Sequence, residues 1–207
     1  MRVRLLGTRA YTRRKSLLLK AFILTAVLGI CLQFVSSFIL SAILDMMPKV
    51  REEYLSNISS LTDISLITVL YVAILAPLLE EAFFRGIVWF VLDKFLPPAA
   101  VIIFQALLFG IYHGNIVQTV YGFILGLLIG CIRRSSGNII STFILHMFIN
   151  AAGLMISCIP ALEEAGTASR PMLICAFGAA LIGLITAMRL VKIWNYTEKA
   201  DCEYSLY

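Results

Sequence analysis

The chain has 207 residues, of which 60% are hydrophobic and only 14% are charged, and its mean hydropathy is +0.93. Soluble domains carry about a quarter of charged residues, so this composition excludes an ordinary soluble domain. The net charge of +5 follows a membrane-topology pattern described below, and no nucleic-acid partner is expected. The five cysteines form no CxxC pair and favour small core residues over a disulfide framework.

Apolar runs follow one another along the chain, and a helix that crosses a bilayer needs about 20 residues. About six candidate spans are predicted, over residues 21–44, 64–92, 99–112, 117–132, 139–159 and 172–191. The second span contains charged residues and is expected to bend or break near Gly86, while the third is short for a full crossing. A loop that is polar and mixed in charge is predicted over 45–63, and a short loop over 160–171. We therefore predict an all-α fold, a polytopic membrane helical bundle with room for one broken or re-entrant helix.

The basic residues predict the orientation, because cytoplasmic loops of membrane proteins are enriched in Lys and Arg. With a cytoplasmic N-terminus and six crossings, most of the 17 Lys and Arg residues fall on the cytoplasmic side. These are Arg2, Arg4, Arg9, Arg13, Arg14, Lys15, Lys20, Lys94, Arg133, Arg134, Arg189, Lys192 and Lys199. We predict a basic cytoplasmic N-terminal segment over 1–20, a membrane domain over 21–192 and a short cytoplasmic tail over 193–207.

Charged residues inside the second span are the most informative feature, because a charge at mid-bilayer costs at least about 2.5 kcal/mol. This span holds Glu80, Glu81 and Arg85. On a helix, Glu81 and Arg85 are four residues apart and can neutralise each other. Glu80 points about 100° away and lacks that partner. An ion-pair cluster that pins helices together is the alternative, but three charges in one turn favour a functional role.

Both histidines of the chain also lie in apolar runs. His113 ends the third span, and His146 lies in the fifth span one helical turn before Asn150, so His146 and Asn150 can project into one cavity. Taken singly, each histidine is more often a hydrogen-bonding contact between helices. Together with Glu80, these residues form a polar set that can assemble in the interior of a bundle.

Such a set has the groups needed to hydrolyse an acyl bond without a covalent nucleophile. A glutamate and a histidine can orient and deprotonate a water molecule, and His146 and Asn150 can donate hydrogen bonds to an oxyanion. A metal variant also fits the residue types, because two histidines and one carboxylate can hold Zn²⁺ with an open position. The contiguous HExxH signature is missing. Spacing does not decide between the two mechanisms, so a zinc cofactor stays open.

The fourth span carries Gly122, Gly126 and Gly130 at intervals of four residues. Small residues repeated on one face let helix backbones approach closely. We expect helix packing at this face, and a groove for a substrate segment is the functional alternative.

In this order, the motifs resemble the CPBP family of intramembrane proteases, the CaaX protease and bacteriocin-processing group, also called Abi. The family pattern is EExxxR, then FxxxH, then HxxxN or HxxxD, and here the three motifs run over 80–85, 109–113 and 146–150. The resemblance covers about residues 76–153. It implies that Glu80 and His113 activate water, that His146 and Asn150 stabilise the oxyanion, and that Glu81 and Arg85 support the site. Members have been described both as metalloproteases and as glutamate-dependent peptidases.

The resemblance implies an intramembrane endopeptidase acting on a membrane-associated peptide or protein within the lipid bilayer. The short loops, compact size and basic N-terminus look like a small bacterial member, so a bacterial cytoplasmic membrane is expected, and the basic residues predict that both termini are cytoplasmic. One alternative is a non-catalytic bacteriocin self-immunity or scaffold membrane protein, in which the same residues are structural contacts. Another is a small proton-coupled transporter, against which no repeated half with matching broken helices is found. Neither the substrate nor the oligomeric state follows from the sequence.

Overall fold

The computed structural model describes residues 2–58, 65–157 and 170–204, with side chains described mainly over 16–56, 65–156 and 174–194. The backbone of the described residues is helical and contains no strand, which confirms the predicted all-α fold. The helices are α1 (Arg2–Met46), α2 (Pro48–Ile58), α3 (Leu66–Leu92), α4 (Pro98–Tyr112), α5 (Ile116–Ser136), α6 (Ile139–Ser157) and α7 (Arg170–Tyr204).

Within the described residues, five helices are long and apolar enough to cross a membrane. They are Ser16–Met46, Leu66–Leu92, Ile116–Ser136, Ile139–Ile156 and Ile174–Trp194. Helix α4 has 15 residues, and at about 1.5 Å per residue it is about 22 Å long, short of the hydrocarbon core of about 30 Å. The chain is therefore a multi-pass helical membrane protein, in which the third predicted span is a shorter apolar helix.

The predicted loop over 45–63 is wrong in part, because α2 occupies Pro48–Ile58. Proline suits the first turn of a helix, where its missing N–H would have no partner. Arg51 Nη1 donates to Asp45 Oδ1 at 3.1 Å and ties α2 to the end of α1. Most of the other predicted loop, 160–169, lies outside the described residues. In the segment predicted as a short tail, 193–207, the backbone continues α7 as far as Tyr204.

The second predicted span does not break near Gly86 but forms one continuous helix, α3. Two of its turns instead widen to π geometry, over Tyr71–Leu75 and Ala82–Val88. A π turn pairs an amide with the carbonyl five residues earlier, so it leaves an intervening carbonyl without its usual partner. The two π turns flank Glu80 and Glu81, and they therefore set the direction in which both carboxylates leave the helix.

The apolar core lies where α1, α5, α6 and α7 meet. Its buried side chains include Leu28, Leu125, Ile129, Leu145 and Leu190. Leu125 and Ile129 also line the polar cavity described below. One side of that cavity is consequently fixed by the packed core of the protein.

The glycine-spaced face of α5 lies against α4, which confirms the predicted helix packing. A Cβ added at Gly126 would lie 3.0 Å from the Cα of Ala106. A Cβ added at Gly122 would lie 3.4 Å from the Cα of Gly110 and 3.6 Å from the ring of His113. Because no side chain separates the two backbones here, α5 fixes the position of the histidine at the end of α4.

Replacing Gly110 by alanine is expected to destabilise the protein by about 1–3 kcal/mol, the usual cost of overpacking. The new Cβ would lie 2.5 Å from the Thr119 carbonyl oxygen and 3.0 Å from the Phe123 amide nitrogen, and neither atom moves unless α5 moves. Unfolding of the detergent-purified protein, titrated with SDS and followed by tryptophan fluorescence, measures the change. Gly178→Ala is the matched control, since no described atom lies within 4 Å of a Cβ there. Equal stability of the two variants would contradict this account of the α4–α5 contact.

Candidate active site

A cavity of about 80 Å³ lies between α1, α3, α4, α5 and α6, with room for several water molecules. Four of the predicted site residues line it, from three different helices: Glu80, His113, His146 and Asn150. The remaining lining side chains are Gln33, Phe109, Tyr121, Leu125, Ile129 and Ile149. The structure thus brings together predicted site residues that are up to 70 positions apart in the sequence.

The other two predicted site residues, Glu81 and Arg85, form a buried ion pair beside the cavity. Glu81 Oε1 and Arg85 Nη1 are 2.9 Å apart, and the two side chains are 1% and 0% exposed. Burying two charges is costly unless further polar contacts satisfy them. His146 Nδ1 donates to the same Glu81 oxygen at 2.9 Å, and the Arg85 guanidinium lies 4.4 Å from the centre of the Phe109 ring. The pairing predicted from the i,i+4 spacing is therefore present and is extended to α6.

Hydrogen bonds fix which nitrogen of each imidazole carries a proton. His113 Nδ1 lies 2.8 Å from the carbonyl oxygen of Phe109, and because a carbonyl only accepts, Nδ1 must be the donor. His146 Nδ1 donates in the same way to the carboxylate of Glu81. In the neutral form of each ring, Nε2 therefore carries the lone pair. His146 Nε2 lies 3.7 Å from Glu80 Oε2.

Asn150 donates a hydrogen bond to a backbone carbonyl in the first π turn of α3. The N–H of Ala76 bonds to the carbonyl of Tyr71, five residues earlier. It therefore does not bond to the carbonyl of Val72, which is its usual acceptor in an α-helix. Asn150 Nδ2 donates to that Val72 carbonyl at 3.0 Å. One N–H of the Asn150 amide is used in this way, and the second is left for another acceptor.

Arg133 donates the corresponding hydrogen bond to a backbone carbonyl in the second π turn. The N–H of Trp89 bonds to the carbonyls of Phe84 and Gly86. It does not bond to the carbonyl of Arg85, four residues earlier, which is its usual acceptor in an α-helix. Arg133 Nε, from α5, donates to that carbonyl at 3.4 Å, and its guanidinium lies 5.6 Å from the centre of the Trp89 ring. The sequence predicted Arg133 only as one of the basic residues on the cytoplasmic side, and its contact with α3 was not predicted.

Two polar side chains of the cavity come from outside the motifs. Gln33 belongs to α1 and Tyr121 to α5, and the ring of Tyr121 lies 6.4 Å from that of His113. Both are polar residues in apolar spans, the same signal that singled out Glu80. A search for polar residues in apolar spans would have found both Gln33 and Tyr121. They were missed because neither belongs to a spaced motif.

The fit to a metal ion follows from the same geometry. Two imidazoles whose Nδ1–H groups are anchored and whose Nε2 atoms carry lone pairs are typical of zinc ligands. In the part of the chain that the structure describes, however, no group of three or more His, Cys, Asp or Glu side chains is arranged to hold a metal ion. As placed, the described residues therefore do not form a three-ligand zinc site.

The fold and the cavity define a polytopic helical membrane protein with a polar glutamate–histidine site among its helices. The profile of the Type II CAAX prenyl endopeptidase Rce1-like family matches residues 62–152, a stretch that contains all three motifs, and this confirms the resemblance seen in the sequence. At the level of the family, the match supports an intramembrane endopeptidase and a protein or peptide substrate. The comparisons with curated proteins and with solved structures found no match.

Proposed function

We propose that this chain is an intramembrane endopeptidase that hydrolyses a peptide bond of a membrane-associated peptide or protein, using a water molecule activated by Glu80 and His113. The observation that carries this proposal is the shared cavity, in which the carboxylate and the imidazole line a space large enough for water. The family match at residues 62–152 supports the protease class.

The two groups suit water activation because both accept hydrogen bonds. The Glu80 carboxylate is an acceptor, and His113 Nε2 carries a lone pair since Nδ1 donates to Phe109. One water molecule can give one hydrogen to each, which leaves its oxygen lone pair directed at a peptide carbonyl carbon. Glu80 takes the proton as the oxygen attacks and returns it to the leaving amine as the C–N bond breaks. General-base catalysis of this kind contributes about 10²–10⁴-fold to the rate.

The oxyanion that forms on the attacked carbonyl needs donors. The Asn150 amide has a second N–H beyond the one that bonds to Val72. His146 donates from Nε2 only when its ring carries two protons, because Nδ1 is already bonded to Glu81. Donors fixed in this way before reaction stabilise developing charge without reorganisation. Glu81 and Arg85 support the site by holding His146 in position.

Membrane orientation is part of the same proposal, with both termini in the cytoplasm of a bacterial cell. Arg134 of α5 and Asp93, at the end of α3, are 3.6 Å apart, so the basic ends of these two helices lie together. This proximity supports the prediction that Lys94, Arg133 and Arg134 are on one side of the membrane.

Peptide cleavage in oxygen-18 water tests the proposed reaction. Detergent-purified protein is incubated with a library of hydrophobic and isoprenylated peptides, with and without a chelator, and the products are identified by mass spectrometry. We expect new carboxyl termini that carry one oxygen-18 atom, formed equally in the presence of chelator. Cleavage abolished by the chelator would replace the mechanism with a metal-dependent one. A monodisperse protein that cleaves no peptide but protects cells against a bacteriocin would favour the non-catalytic immunity protein.

A further inference from the structure

A polar side chain from outside the family match reaches the cavity. Gln33 lies in the membrane-spanning part of α1, Ser16–Met46, and lines the cavity together with Glu80 and His113. The family match begins only at residue 62, so the motifs do not account for this glutamine. An amide inside a membrane span is unfavourable unless it has polar partners, and such residues usually mark a functional position.

Two neighbours hold the amide of Gln33 in place. Its Nε2 donates to Ser37 Oγ at 2.9 Å, one turn further along α1. On the α6 side, a Cβ added at Gly153 would lie 3.2 Å from Nε2, so the glycine makes room for the amide. The two helices also approach closely at Gly29, where an added Cβ would lie 2.8 Å from the Leu145 carbonyl oxygen. Gln33 is therefore carried by a fixed helix pair.

These contacts use only one of the hydrogen-bonding positions of the amide. Among the described residues, the bond to Ser37 is the one hydrogen bond that the Gln33 side chain makes. Its second N–H and the lone pairs of Oε1 are left for a molecule in the cavity. One donor and one acceptor from a single planar group match the N–H and C=O that each residue of a peptide presents.

We propose that Gln33 binds the main chain of the peptide substrate beside the scissile bond, with Oε1 accepting from a peptide N–H and Nε2 donating to a peptide carbonyl. This inference rests on the proposed function and names how the same cavity holds its substrate. A peptide that enters an apolar interior loses the water that satisfied its backbone, and each unsatisfied group costs several kcal/mol. Gln33 replaces part of that water, next to the groups that activate the nucleophile.

Peptide binding tests the inference without cleavage, in full-length, detergent-purified Glu80→Gln protein. Fluorescein-labelled hydrophobic and isoprenylated peptides are screened by fluorescence anisotropy, and the tightest binder is kept. Adding Gln33→Met, which keeps the length of the side chain and removes both of its hydrogen bonds to the peptide, is expected to raise the Kd about 100-fold, about tenfold for each lost bond. Gln118→Met is the matched control, since Gln118 bonds to Asn115 at the start of α5 and does not line the cavity.

A second measurement separates main-chain binding from a structural role. Replacing one peptide amide by an ester removes its N–H, and at one position of the peptide we expect a Kd about tenfold higher when Gln33 is present. In Gln33→Met the same ester should cause no further increase. Multiplicative effects of the two changes, an unchanged Kd in Gln33→Met, or no binding of any peptide would each overturn the inference. If Gln33→Met and the ester change the Kd as expected but the wild-type protein cleaves no peptide, the peptidase function is overturned and the binding role of Gln33 is kept.

Discussion

The variant Glu80→Gln is expected to cleave peptides with a kcat lowered by about 10²–10⁴-fold, the usual contribution of a general base. Glutamine keeps the shape of the side chain but cannot take a proton from water. The geometry of α3 should not change, because Glu81 and not Glu80 makes the buried ion pair with Arg85. We therefore expect lost activity in a protein that inserts and elutes like the wild type.

Initial rates measured by mass spectrometry on detergent-purified protein, together with size-exclusion chromatography, check this result. Glu53→Gln is the matched control, since Glu53 is an exposed carboxylate on α2, and it should leave the rate unchanged. Wild-type rates in Glu80→Gln would remove Glu80 from the chemistry and leave the cavity residues as structural contacts.

The variant Arg85→Met is expected to lose about 3–5 kcal/mol of stability, the cost of leaving one partner of a buried ion pair without the other. The carboxylate of Glu81, 1% exposed, would stay buried without its cation. The guanidinium contact with the Phe109 ring would also be lost. Adding Glu81→Gln should recover part of the stability, because it removes the isolated charge.

SDS-titrated unfolding of both variants measures these changes. Arg134→Met is the matched control: its guanidinium is 49% exposed and lies 3.6 Å from Asp93, and exposed ion pairs contribute about 0–1 kcal/mol. A loss of stability as large in Arg134→Met as in Arg85→Met would show that the burial of the Glu81–Arg85 pair is not what matters.

The local part of the site was predictable from the sequence, and the long-range part was not. Glu81 and Arg85 are four residues apart on one helix, so their pairing depends only on helix geometry. The bond from His146 to Glu81 joins residues 65 positions apart. It depends on how α6 is rotated against α3, which is decided by packing and not by spacing. The sequence motifs predicted that these residues share a cavity, but not that His146 bonds to the carboxylate of Glu81 or that His113 bonds to a backbone carbonyl.

The continuity of α3 also depends on contacts with other helices, which its own sequence does not predict. The charges and Gly86 suggested a bend or a break, yet α3 continues as one helix. Each π turn leaves one backbone carbonyl without its usual partner, first that of Val72 and then that of Arg85. Asn150 donates to the first carbonyl and Arg133 donates to the second. The donors come from α6 and α5, so the sequence of α3 alone contains no sign of them. For the same reason, Asn150 has a backbone contact that its motif did not predict.

The two π turns also affect how this chain should be compared with other sequences. A π turn corresponds to one residue inserted into an α-helix, with little added rise. Over Tyr71–Leu75 and Ala82–Val88, α3 therefore holds more residues than a regular α-helix of equal length. Aligned with a protein whose equivalent helix is regular, this chain would require single-residue gaps inside a membrane span, close to both glutamates. An alignment that allows gaps only in loops would shift Glu80 and Glu81 together by one position, because both lie between the two π turns.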